Sequence, residues 1–161
     1  MAQRFAVILM VEDNADDIYF MKRALRKAQV AQPVRAVRDG EEAIQYLEGS
    51  GPYGDRRKHP LPCMVLLDFK LPKKSGLEVL RWVRRHPDLA DLPVLMISSS
   101  GEKKDQVEAE REGVEAYRIK SVSFEELVDL AHEIREKAEE HCRDADPCPS
   151  EATEDENPSA R

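Results

Sequence analysis

The sequence predicts an α/β domain built on a doubly wound, five-stranded parallel sheet. Five short apolar runs recur along the chain, amphipathic stretches of helical length separate them, and the unusual polar residues gather at the C-terminal ends of the runs. A length of 161 residues suits one domain with a real core, without room for a conventional output domain beside it.

The apolar runs are AVILMV (6–11), VRAVRD (34–39), CMVLLDF (63–69), LPVLMIS (92–98) and AYRIK (116–120). The first, third and fourth are apolar almost throughout, as strands covered on both faces must be. The second and fifth are mixed, which places them in less enclosed positions.

Helices are expected over about 16–29, 41–48, 76–86, 102–112 and 124–140. The last has the clearest pattern: Phe124, Leu127, Val128, Ala131 and Ile134 fall on one helical stripe, and Ser123 stands where an N-cap belongs. The fourth carries only Val107 and Ala109 as apolar residues, so it can bury little and should be loosely held. From 143 to 161 the chain turns to Pro, Ser, Asp and Glu, a composition that cannot offset the entropy of ordering. The expected organisation is a domain of residues 1–142 followed by a disordered acidic tail, 143–161.

The formal net charge is −7, but from Asp144 onward six acids face Arg161 alone, so residues 144–161 carry −5 and the rest only −2. No basic stripe interleaved with aromatics is present, which argues against nucleic acid as a partner of the domain. The apolar run Phe5 to Val11 is far too short to span a bilayer. The expectation is a soluble, cytoplasmic protein with no membrane partner. Cys63, Cys142 and Cys148 show neither a disulfide framework nor paired metal-ligand spacing, and Cys142 and Cys148 are read as solvent-exposed spectators.

In a doubly wound parallel sheet, ligands bind beyond the carboxyl ends of the strands. Glu12 and Asp13, Asp68, Ser98 and Lys120 all stand at such ends. Carboxylates brought together repel unless a cation neutralises them, and an all-oxygen set selects Mg²⁺ or Mn²⁺ over zinc. A hydroxyl and an ammonium beside that cation supply donors for an anion, the electrostatic arrangement of phosphoryl transfer. Asp16 and Asp17 are read as acids of a helix N-terminus, and Ser99 and Ser100 as caps.

The segments VEDN (11–14), LLDFKLPKKSG (66–76), PVLMISSS (93–100) and YRIK (117–120) resemble the response-regulator receiver domain over roughly residues 5–140. The stretches GSGPYGDRRKHPLP (49–62) and HPDLADLP (86–93) are similar to stand-alone regulators paired with phytochrome-type histidine kinases. The resemblance implies a flavodoxin-like sheet of order 2-1-3-4-5. It makes Asp68 the phosphoacceptor, which becomes an aspartyl phosphate. Asp13 and Asp68 would ligate the metal directly, Glu12 through a bound water, and Lys70 through its backbone carbonyl.

Lys120 would pair with the carboxylate and then with phosphoryl oxygens. Ser98 would bond a phosphoryl oxygen, and Tyr117 would follow by rotating inward. The implied partners are a histidine kinase, of phytochrome type, or a phosphotransfer protein, with a downstream protein target. A homodimer would form through the fourth helix, fifth strand and fifth helix. No separate substrate is turned over.

Three positions depart from the family pattern. Ser98 stands where threonine is common, which removes the β-branch that restricts χ1. Lys70, two residues beyond Asp68, is a long cation able to reach the phosphoryl group or block water, and so to set the phosphate lifetime. Ser121 follows Lys120 where the family has proline and a cis peptide. A phosphohydrolase of the haloacid-dehalogenase type would need a second acid where Lys70 stands. A phosphorylation-independent adaptor is the remaining alternative.

Overall fold

The computed structural model describes residues 2–120, 122–150 and 152. Its elements alternate strictly: β1 (Phe5–Val11), α1 (Ala15–Lys27), β2 (Val34–Val37), α2 (Gly40–Glu48), β3 (Pro62–Asp68), α3 (Gly76–Arg85), β4 (Val94–Ser98), α4 (Lys103–Arg111), β5 (Ala116–Ile119) and α5 (Phe124–His141). All five strands are parallel, in the order β2-β1-β3-β4-β5, so the fold class is as the sequence predicts.

Register brings the carboxyl ends to one edge of the sheet. Val11 lies opposite Val37 and Leu67, Asp68 opposite Ile97, and Ser98 opposite Ile119. Every residue of β3 is buried, and successive side chains go to opposite faces. Val65 and Leu67 join Tyr46, Val79 and Val83 under α2 and α3, whereas Met64 and Leu66 join Met21, Ala131 and Ile134 under α1 and α5. A near-continuous apolar run is what a central parallel strand with two covered faces requires.

The helices begin where side chains satisfy their first amides. Asn14 accepts from the Asp17 amide, Asp39 from Glu42, Ser75 from Glu78 and Ser123 from Glu126. Helix α4 buries only Asp105 and Ala109, a thinner contact than any other helix makes.

The insertion after α2 is folded back on that helix. Gly49 ends α2 in the left-handed region at φ 74°, and Arg56 donates to the carbonyls of Tyr46 at 2.6 Å and Leu47 at 2.7 Å. Carbonyls that a helix terminus leaves unpaired are thereby satisfied. Tyr46 in turn donates its hydroxyl to the Pro60 carbonyl at 2.8 Å.

One expectation is corrected. Cys142 is buried and disulfide-bonded to Cys63, because the last turn of α5 lies over the start of β3; spacing of 79 residues in sequence hides that proximity. Cys148 remains a free, half-buried thiol.

Part of the expected tail meets the sheet. β2 begins opposite Ile8, which leaves the first residues of β1 unpaired on that side. Asp146 fills the gap: its carbonyl accepts from the Ala6 amide at 2.8 Å and its amide donates to the Arg4 carbonyl at 3.0 Å. Backbone groups at a covered sheet end need partners, and Asp146 supplies them. Residues 151 and 153–161 of the expected tail lie outside the described residues.

Candidate functional site

Glu12, Asp13 and Asp68 each present a carboxylate oxygen within 4.8 Å of the others, at the carboxyl ends of β1 and β3. Glu12 and Asp68 are buried and Asp13 is exposed, so the cluster has a dry floor and a wet mouth. Burial raises the Glu12 carboxyl to about pKa 7; Lys120 opposes the rise, and the carboxylate of Asp68 adds to it. Glu12 also accepts from the Asn14 amide at 3.1 Å, which fixes its orientation.

Lys120, just past β5, reaches into this cluster. Its ammonium lies 2.8 Å from Glu12, 3.0 Å from Asp68 and 3.0 Å from Asp17. Burial alone would lower the Lys120 pKa, but the bonds to Glu12 and Asp17 and the charge of Asp68 raise it above the ordinary lysine value. Asp17 is therefore more than an acid in the first turn of α1. It sits one turn beyond Asp13, on the helix face turned toward the strand ends, a spacing that offered a signal in the sequence. Ser121 lies outside the described residues.

The loop after β3 is pressed against the site. Lys70 donates its amide to Asp68 Oδ1 at 3.3 Å, while its side chain points to solvent. Gly76 comes so close that a Cβ there would stand 2.1 Å from the Asp68 carbonyl oxygen, so any side chain would displace the loop.

Ser98 is fully buried at the end of β4, and its Oγ accepts from the Ser100 amide at 3.0 Å. Tyr117 is already inward: it is buried, packs edge-on against Phe69 at 6.2 Å between ring centroids, and donates its hydroxyl to the Ser100 carbonyl at 2.9 Å. Ser100 is buried where Ser99 is exposed. Period-two alternation beyond Ser98 could have distinguished them.

Beside the acids opens a cleft of about 600 Å³. Phe20 on α1, Val122 and Phe124 form part of its apolar wall, with Glu12, Asp68 and Lys120 at its polar end. Phe20 and Val122 are exposed large hydrophobics, and nothing in the strand pattern pointed to them.

The donor set suits a hard divalent cation. Three carboxylates supply only oxygens, and an acid whose burial pushes it toward neutrality gains most from a neighbouring positive charge. What the arrangement can do chemically is hold such a cation and, beside it, neutralise an anion with Lys120.

Comparison with known proteins converges on the same reading. The model of the response regulator receiver domain matches residues 8–132. The chain is 37% identical over 133 residues to the probable methanogenesis regulatory protein FilR2 of Methanothrix harundinacea, covering 81% of each chain. It is 32% identical over 128 residues to response regulator Rcp1 of Synechocystis, covering 80% of this chain and 85% of that one.

Among solved structures, it resembles the phosphorylated cyanobacterial phytochrome response regulator RcpA with a TM-score of 0.74 and 36% identity, over 84% of this chain and 93% of that one. The Mn²⁺-bound form of Rcp1 gives a TM-score of 0.72 at 32% identity, over 80% and 90%. A sheet of the right order, an acid cluster with a lysine across it, and a matching model over most of the length agree: this chain belongs to the response regulator receiver domain family.

Proposed function

We propose that this chain is a phosphoacceptor switch in which a histidine kinase, or a phosphotransfer protein, transfers a phosphoryl group to Asp68. Glu12, Asp13, Asp68 and the backbone carbonyl of Lys70 hold Mg²⁺, with Mn²⁺ an acceptable substitute. The observation that carries this reading is the Lys120 ammonium 3.0 Å from Asp68 Oδ2, in the mouth of a three-carboxylate cluster.

An Asp68 oxygen forms the new P–O bond while the donor's bond to phosphorus breaks and its electron pair returns to the donor. Lys120 exchanges a carboxylate partner for a phosphoryl oxygen and neutralises charge as it accumulates. A divalent cation held by these residues would supply further neutralisation of the developing charge. Ser98 gives a hydroxyl proton to another oxygen, while the Tyr117 hydroxyl stays bonded to the Ser100 carbonyl. Lys70, on the solvent side, screens the acyl phosphate from water.

Relatives named as phytochrome response regulators support a phytochrome-type kinase as donor. The apolar wall of the cleft offers it a docking surface beside Asp68. Output through α4, β5 and α5, including pairing of two copies, is supported by the exposed Ile119 on the edge strand. No described helix is long and apolar enough to cross a membrane, which accords with a cytoplasmic role.

The test is phosphorylation by acetyl phosphate. Incorporation of a hydroxylamine-labile phosphate is expected to require Mg²⁺ and to vanish in Asp68→Asn. Labelling that survives that substitution would place the acceptor elsewhere; partner binding indifferent to both would favour an adaptor.

A further inference from the structure

Helix α4 has one property its composition does not explain: of the two residues it buries, one is a carboxylate, Asp105. A buried acid is costly unless hydrogen-bonded. Its partner is Ser100, whose hydroxyl donates to Asp105 Oδ2 at 2.6 Å.

Ser100 uses all of its polar groups. Its Oγ also accepts from the Glu102 amide at 3.3 Å, its own amide donates to Ser98 Oγ at 3.0 Å, and its carbonyl accepts from the Tyr117 hydroxyl at 2.9 Å. One buried serine thus joins the end of β4, the inward tyrosine of β5 and the first turn of α4. A fully satisfied buried network is rigid, and its members depend on one another.

Ser98 lacks the methyl group that would restrict its χ1. In its place, the Ser100 amide holds Ser98 Oγ from one side and leaves the single Ser98 proton for an incoming oxygen. We infer that Ser100 and Asp105 are positioning residues of the switch: together they aim the Ser98 hydroxyl and hold Tyr117 inward before any phosphoryl group arrives. Loop ordering that would otherwise oppose phosphoryl binding is then already complete.

The inference rests on the assignment of Asp68 as acceptor, and the test separates the two. Beryllofluoride, a phosphoryl mimic, is titrated into the full chain with saturating Mg²⁺. Mg²⁺ affinity alone is measured in parallel. Ser100→Ala and Asp105→Ala are expected to weaken beryllofluoride binding by roughly tenfold, the scale of one buried hydrogen bond to a charged group.

Their Mg²⁺ affinity stays within about twofold, since neither residue touches the acid cluster. Asp105→Asn keeps an acceptor for the Ser100 hydroxyl and retains most of the affinity. Ser98→Thr, placed in the Ser100→Ala background, recovers most of the loss by restoring the β-branch, an effect that a mere cap of α4 would not produce.

Unchanged beryllofluoride affinity in folded Ser100→Ala, or no recovery by Ser98→Thr, would overturn the inference while leaving Asp68 as acceptor. Should Ser100→Ala fail to fold, the contrast between Asp105→Ala and Asp105→Asn decides in its place: equal affinities overturn it. A parental chain that binds no beryllofluoride overturns the acceptor assignment and this inference with it.

Discussion

Asp17 and Asp68 stand equally near one ammonium, each with a carboxylate oxygen 3.0 Å from Lys120 Nζ. Asp68 is buried and Asp17 is nearly half exposed, so the bond to Asp17 is the weaker and the first to be given up. Asp17→Asn should therefore free Lys120 for an incoming phosphoryl oxygen and raise the initial rate of labelling by acetyl phosphate up to about fivefold, the ceiling for an exposed ion pair. A rate equal to that of the parental chain would show that Asp17 does not compete.

Glu12 makes the site pH-sensitive. Its folded pKa of about 7 exceeds the ordinary 4.5, so the folded metal-free chain holds a proton that the unfolded chain releases between those values. That contribution to stability is complete below 4.5 and is lost as pH rises through about 7. Between about pH 5 and about pH 8, the Tm of the metal-free parental chain should fall relative to that of Glu12→Gln. Mg²⁺ prefers the carboxylate, so the increase in Tm that it causes should grow over the same interval.

Gly76 is the steric limit on the acceptor loop. A methyl group in Gly76→Ala would meet the Asp68 carbonyl at 2.1 Å, and relief requires the β3–α3 loop to move. Overpacking of this kind costs about 1–3 kcal/mol. Chemical denaturation should register that loss, and Mg²⁺ affinity should fall with it because the Lys70 carbonyl moves too.

Lys70 is exposed beside the acceptor and bonds Asp68 only through its backbone. Lys70→Ala should leave the fold and the Mg²⁺ affinity near the parental values and shorten the phosphate lifetime several-fold. The decay of labelled protein after removal of phosphodonor measures it. An unchanged decay would remove the screening role.

The Cys63–Cys142 bond closes a segment of 79 residues. Chain-entropy arguments give about 4 kcal/mol for a loop of that size. Reduction, or Cys142→Ser, should lower the Tm markedly. Thiol titration across a glutathione redox series will show whether a reducing compartment keeps the pair open.

The strands and the site were legible in the sequence for the same reason. Residues such as Val65 and Leu67 must be apolar on both faces of a central strand, and the first residue to break that rule, Asp68, marks where the strand leaves the core. Glu12 was found in the same way, whereas Lys120 follows a mixed strand and was found by its place at that strand's end. Asp17 was not, since an acid near a helix start has an ordinary explanation in the helix dipole, and only its distance to Lys120 reveals more. Ser100 and Asp105 were hidden by their chemistry: a serine in a run of three and an acid on a polar helix look solvated, although both are buried. Cys142 and Asp146 were missed because composition reports on segments, whereas the gap beside β1 belongs to the sheet.

Helix α5 is held by packing along its length but covalently at one end only. Its final turn is bound covalently to the foot of β3, and Phe124 at its beginning lines the cleft beside Asp68. Displacement of the helix near Phe124 therefore works against packing alone, whereas displacement near Cys142 works against a covalent bond. Opening the sulfur bridge would leave both ends of α5 held by non-covalent contacts alone.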